Sequence, residues 1–183
     1  MEKKVLAALE KAAEDIEVNE DSPIALDWIN GRRTLDADQS LKGALSGLSL
    51  GTDAPSIMRM LLESTAFGAR AILECFEKGG VEVGQIIAIG GVARKSTIGM
   101  QILADVTGRD IQVTSNDQAP AIGAAAFAAV VAGLYTDIPT AQKVLCAAIE
   151  RVYTPDPKRK DVYDKLYERY LALGKFEEKQ RRG

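Results

Sequence analysis

Two adjacent glycines, Gly90 and Gly91, follow directly on the apolar run Ile86, Ile87, Ala88 and Ile89. Glycines at the carboxyl end of a buried strand let a flat ligand lie against bare backbone, and the start of a following helix offers N–H groups to an anion. That combination suits a nucleotide. The same pattern serves as a tight turn in any α/β protein, so local pattern leaves both readings open. Two sharper motifs are excluded. A dinucleotide fingerprint needs G-x-G-x-x-G, whereas the next glycine after Gly91 is Gly99, and Asp110 opens the second strand instead of closing it. The phosphate-wrapping G-x-x-x-x-G-K-[ST] loop occurs nowhere.

Composition removes much other chemistry. The chain has no histidine, which eliminates Ser-His and Cys-His nucleophile pairs and every His-containing metal site. Asp36, Asp38 and Ser40 are spaced like the start of a calcium loop, but Leu41 stands where the turn glycine belongs and Gly47 where the bidentate glutamate belongs. No metal site is therefore expected. Arg32 and Arg33 read either as an anion clamp or as exposed loop arginines. Cys75 and Cys146 fall in apolar helical stretches without a C-x-x-C pair, so buried, reduced thiols in a cytoplasmic protein are expected. A net charge of -3 disfavours a nucleic-acid or anionic-membrane surface. The N-terminus lacks the apolar core and cleavage site of a signal peptide. Residues 118–136 are uncharged but rich in alanine, with Pro120 and Gly123, which predicts a helix packed inside protein and not a membrane span.

The elements that must position the glycine pair follow from periodicity. The segment from Gln85 to Ser115 reads as a strand, a Gly-Gly turn, a helix capped by Ser96 or Thr97 and ended by Gly108, and a second strand from Asp110 to Val113. Upstream lies an amphipathic first helix with Val5, Leu6, Leu9, Ala13 and Ile16 on its apolar face. Strands are predicted at Ile24 to Asn30 and Leu41 to Leu50, with Trp28 in the core. The longest helix, Ala54 to Lys78, is capped by Thr52 or Asp53, carries Pro55 in its first turn and ends at Gly79-Gly80. Its apolar stripe runs Ile57, Leu61, Thr65, Gly68, Ile72 and Phe76.

Downstream, Asn116 and Asp117 are candidate caps for a helix from Ala121 to Leu134 whose small residues permit close packing on the sheet. Pro139 to Ile149 reads as a short helix and Arg151 to Tyr153 as an edge strand. Asp161 to Leu173 reads as a helix docked by Tyr163, Leu166, Tyr167, Tyr170 and Leu171, followed by a frayed, charged tail. The chain thus divides into an N-terminal helix (1–20), an α/β core (24–154) and a C-terminal helix and tail (155–183), forming one lobe.

The order of these pieces resembles the C-terminal lobe of the FGGY carbohydrate kinases, and within them the ribulokinases. The matching stretches are LDWINGRRT at Leu26 to Thr34, LKGALSGLSLGTDAP at Leu41 to Pro55, ESTAFGARAI at Glu63 to Ile72 and IAIGGVARKSTIGMQILADVTGRDI at Ile87 to Ile111. SNDQAPAIGAAAFAAVVAG at Ser115 to Gly133 and YDKLYERYLALG at Tyr163 to Gly174 complete the set. QAPAIGAA discriminates, because many sugar kinases carry Glu-Ala there. Thr34-Leu35 departs from the usual Thr-Pro.

This resemblance implies an α/β lobe of the ribonuclease H-like, actin-like ATPase kind, incomplete at its N-terminal strands. It implies ATP with Mg2+, the adenosine over Gly90 and Gly91, and Val92, Ala93, Lys95 and Ser96 edging the pocket. The catalytic base is expected upstream, which leaves Asp27, Asp53, Asp105 and Asp117 as structural or capping acids. The partner is an N-terminal kinase lobe that brings the sugar, a ketopentose such as ribulose. The chain alone is expected to be inactive and to form a homo-oligomer through an unpaired sheet edge. The alternative is a stand-alone, non-catalytic nucleotide-binding or regulatory module.

Overall fold

The computed structural model describes residues 2–32, 37–115, 118–146 and 148–182. Its centre is helix α4 (Thr97–Thr107), which lies between two packed layers. Ile98, Ile102 and Val106, four apart and thus on one helical face, point into the larger core. Ala104, with Met100, faces the sheet, and Leu103 touches both clusters. The larger core joins α1 (Glu2–Glu14), β1 (Ile24–Ala25), α2 (Ala54–Lys78) and α7 (Pro157–Arg182). Within it Phe67 is ringed by Tyr163, Tyr167 and Tyr170 at centroid distances of 6.2, 5.9 and 5.5 Å. Aromatic pairs at such spacing add to the burial of their large apolar surface.

The sheet of the second layer has the order β3 (Ile86–Ala88), β4 (Ile111–Thr114), β5 (Ile149–Tyr153). β3 and β4 run parallel through the α4 crossover, and β5 returns antiparallel. Ile111, Val113 and Tyr153 are buried against α4. The opposite face is open: the row Ile87, Gln112 and Val152 leaves Ile87 47% and Val152 48% exposed. Among the described residues nothing pairs with the outer edge of β3.

Several predicted elements form as expected. Asp53 caps α2, its Oδ1 accepting the Ser56 N–H at 2.9 Å, and Gly80 leaves the helix at φ +80°. Ser96 caps α4 by accepting the Gly99 N–H, and Gly108 ends it at φ +66°, donating its N–H to the Ala104 carbonyl at 2.8 Å. Gly108→Ala forces a side chain into that left-handed position and is expected to cost about 1–2 kcal/mol, measured by urea unfolding. Its methyl would meet only the end of the Lys160 side chain, which can swing away, so a cost near zero would show that the helix end relaxes out of the left-handed turn.

Other expectations are corrected. The two upstream strands shrink to Ile24–Ala25 and β2 (Leu45–Ser46), a separate antiparallel pair, because the backbone turns away at the loop after Trp28 and at Gly47, φ +82°. The glycine pair is no turn: it opens a short helix, α3 (Gly90–Lys95). Val5 and Leu6 of α1 are 53% exposed, since only the C-terminal end of that helix reaches the core, through Ala13. α5 (Ala119–Val131) packs on α6 (Ile138–Leu145) and not on the sheet, so that Phe127, Val131 and Leu134 stand exposed. Its expected caps, Asn116 and Asp117, lie outside the described residues. α6 stops at Leu145 and Ile149 belongs to β5. α7 does not fray at Leu173 but continues to Arg182, held partway along by Arg32 bonding to Glu178. Both cysteines are free and exposed.

The face of α2 that is buried deepest is not its apolar stripe. Phe76 is 53% exposed and Thr65 is exposed, whereas Arg59, Met60, Glu63, Ser64, Ala66 and Phe67 are buried. Tertiary partners make this possible. Arg59 donates to Glu63 Oε1 at 2.9 Å, to the Ala13 carbonyl at 2.8 Å and to Tyr163 Oη at 3.1 Å, and Tyr163 donates to Glu63 Oε1 at 2.9 Å. A buried charge is tolerated when paired and hydrogen-bonded in this way. Burial is also the main cause that raises the Glu63 carboxyl above the usual range, opposed by Arg59.

Candidate functional site

β3 ends at Ala88 and Ile89 stays extended, after which Gly90 turns the chain into α3 with φ +87°. That value lies in the left-handed region, where a side chain is strained, so glycine is required at Gly90 by the backbone itself. Gly91 has no such constraint. Around both the surface is bare: a Cβ at Gly90 would meet nothing within 4 Å, and one at Gly91 would reach only Lys95 Nζ, at 3.9 Å. Ile89, as N-cap, supplies no side-chain acceptor to the first N–H groups of α3. The result is an open patch of backbone donors with an ammonium beside it.

Of the six residues expected at a nucleotide, four share this surface. Gly90 is partly exposed, and Gly91, Val92 and Lys95 are exposed, Val92 by 72%. Ala93 turns its methyl into the core cluster formed with Ala104, Ile111, Val113 and Tyr153. Ser96 is 4% exposed, with its N–H donating to the Val92 carbonyl at 2.9 Å and its Oγ accepting from Gly99. It thus joins α3 to α4, and its hydroxyl is engaged in the cap.

The aspartates are occupied elsewhere. Asp53 is a cap, and its hydrogen bonds from the Ser56 side chain and N–H hold its carboxyl below the usual range. Asp105, 1% exposed, accepts the Asp156 N–H at 2.8 Å and pairs with Arg159. Asp27 accepts the Tyr170 hydroxyl at 2.8 Å, and burial raises its carboxyl above the usual range. Asp117 lies outside the described residues. Among the described residues no group of three or more His, Cys, Asp or Glu side chains gathers to hold a metal. Arg32 is no open anion clamp, because it bonds to Glu178 and lies over the Trp28 ring at 5.1 Å, while Arg33 is outside the described residues. No described helix is long and apolar enough to cross a membrane.

Residues 2–132 match the FGGY family of carbohydrate kinases, C-terminal domain. The chain belongs to this family. The segment that places it there contains the whole β3–α3–α4–β4 unit with the glycine pair. Among curated relatives, the FGGY chain is similar to a ribulokinase of Vibrio parahaemolyticus, 46% identical over 175 residues, covering 96% of this chain and 31% of that protein. Among solved structures it is similar to a xylulose kinase from Rhodospirillum rubrum, with TM-score 0.78, 30% identity, 91% of this chain and 33% of that one. Plasmodium falciparum glycerol kinase, solved with ADP, matches at TM-score 0.71 and 22% identity, over 92% of this chain and 35% of that one. The fold is therefore that of the C-terminal lobe of FGGY sugar kinases. The chain spans about a third of the length of the relatives it matches.

One feature of the lobe went unseen in the sequence: the polar seam between α2 and α7. Arg59 and Glu63 stand four apart, which signals a solvated helix pair. Nothing local announces that Tyr163, a hundred residues away, closes over them.

Proposed function

We propose that this chain is the ATP-binding lobe of a sugar kinase, a cytoplasmic phosphotransferase that moves the γ-phosphoryl of ATP to a ketopentose such as ribulose when joined to an N-terminal lobe. The observation that carries this reading is the unobstructed Gly90–Gly91 backbone at the carboxyl end of β3, inside the family-matched segment. Gly90 and Gly91 would lie under the adenosine, with Val92 and Lys95 at its edge. Ala93 and Ser96 would act from behind, holding α3 in place through the core contact and the cap. Mg2+ would arrive with the nucleotide phosphates, as is usual for an ion that keeps few protein ligands.

Phosphoryl transfer also needs a base and in-line positioning of the acceptor. The family resemblance puts the base in the N-terminal lobe, together with the residues that select the sugar, and the engagement of Asp27, Asp53 and Asp105 in hydrogen bonds or caps is consistent with that. Relatives act under the names ribulokinase, xylulose kinase and glycerol kinase, which fits a shared nucleotide lobe with a varying acceptor site.

The open edge of β3 and the uncovered sheet face support a homo-oligomeric or otherwise associated state for the chain by itself, since unpaired strand edges template pairing. Light scattering is expected to show self-association rising with concentration. A coupled assay with ribulose, ATP and magnesium is expected to show no turnover above background. A strict monomer at high concentration would remove the exposed-edge argument, and strong turnover would overturn the need for a second lobe.

A further inference from the structure

Helix α3 carries the glycine pair, yet little within it fixes its place. Its 6 residues are too few to form a helix on propensity alone, Gly90 and Gly91 are poor helix formers, and Ala93 is the one residue it buries in the core. Its position is therefore set from outside. At its C-terminal end the Ser96 N–H donates to the Val92 carbonyl, which joins it to α4. At its flank the buried Arg94 Nε stands 3.3 Å from Glu150 Oε2, a carboxylate near the start of β5.

β5 runs antiparallel to β4, so its first residues return to the carboxyl end of the parallel pair, where α3 begins. From there the chain lies along α3 and α4 as a strap. Arg151 donates to Thr97 Oγ1 at 3.5 Å and to the Tyr153 hydroxyl at 2.8 Å, and the Tyr153 side chain is buried with Ala93 and Ala104. The Thr154 carbonyl accepts from Gln101 Nε2 at 2.9 Å, and the Asp156 N–H donates to Asp105 Oδ1 at 2.8 Å. The contacts from Arg151 onward reach α4 or the core. The Glu150 contact reaches the flank of α3 itself.

We propose that Glu150 is a positioning residue for the nucleotide surface, holding α3 through Arg94 so that the Gly90–Gly91 backbone is presented to the adenosine. The inference rests on the reading of that glycine pair as the nucleotide surface. Glu150 itself stays clear of the ligand's place, since a Cβ built at Gly90 or Gly91 would have no Glu150 atom within 4 Å. Its charge also has the wrong sign for direct contact, because a carboxylate repels nucleotide phosphates. Any affinity it contributes therefore passes through the placement of α3.

Adenosine is neutral, and so it separates positioning from direct effects of charge. In an NMR titration of the chain with adenosine, followed at the Gly91 and Val92 amides, Glu150→Ala is expected to weaken binding about three-fold, the size of a part-exposed ion pair. Glu150 is exposed, so the fold is retained. In an Arg94→Ala background the same substitution is expected to change the affinity no further, because its route to α3 is gone. Without ligand, the Ser96 amide, bonded to the Val92 carbonyl, is expected to exchange with solvent about three-fold faster in Glu150→Ala than in the parent chain, as α3 opens more often. No shift at either amide in the parent chain overturns the nucleotide reading and this proposal with it. Binding by the parent with equal affinity in Glu150→Ala, a further loss in the Arg94→Ala background, or an unchanged exchange rate at Ser96 overturns this proposal alone.

Discussion

Glu63→Ala is expected to lower the stability of the chain by about 3–5 kcal/mol, because it strands the Arg59 guanidinium in a site where charge is tolerated only when paired. The side chains of Arg59 and Glu63 are 8% and 3% exposed, so solvent screening provides little relief. Glu63 Oε1 accepts from both Arg59 and Tyr163, and the substitution therefore removes two hydrogen bonds and leaves a cation and a phenol unmatched between α2 and α7. For a domain of this size the loss corresponds to a fall in Tm of about 10 °C. Thermal unfolding followed by circular dichroism measures it. The double variant Arg59→Met with Glu63→Leu is expected to recover most of the loss, since an apolar pair of similar volume replaces a buried ion pair at little cost. A loss below about 1 kcal/mol in the single variant would mean that the pair is solvated and that α7 is held by its other contacts.

Gly91→Val is expected to abolish ATP binding while leaving the fold intact. The two halves of that statement have separate supports. Gly91 is exposed, its backbone is not in the left-handed region, and the nearest heavy atom to an added Cβ is Lys95 Nζ at 3.9 Å, so valine meets no clash inside the protein. A Gly-to-Val change within a short helix is close to neutral in propensity. The added methyls instead project from the open surface, into the space assigned to the nucleotide. Calorimetric titration with ATP decides it: weak binding is expected for the parent chain, because a single lobe supplies part of the contacts and closure normally completes such sites. No detectable heat is expected for the variant, with Tm changed by a few degrees at most. Equal affinity in the two proteins would remove the glycine pair from the site. The neighbouring Gly90→Ala is not an equivalent test, since φ +87° makes it a fold variant as well.

Local sequence determined the ends of α2 and α4. Asp53, Ser96, Gly80 and Gly108 act within a few residues of themselves, through side-chain caps and left-handed turns, and so they were legible without a third dimension. The glycine pair was legible for the same reason, as a strand end that carries no side chain. Fold class followed from the ordered set of stretches between Leu26 and Gly174, which match across the whole lobe.

Tertiary structure alone decided which faces those elements bury. Periodicity assigned α2 an apolar stripe ending at Phe76, yet the face turned inward carries Arg59 and Glu63, because Ala13 and Tyr163 arrive from distant parts of the chain to satisfy them. α5 is the most apolar helix and is left largely exposed, since hydrophobicity states what a segment would bury and not whether a partner surface stands beside it. Ala93 and Val92 are neighbours of similar character. Only the position of the sheet and α4 sends one into the core and the other to the surface, and with it decides which residues around Gly91 can meet a ligand.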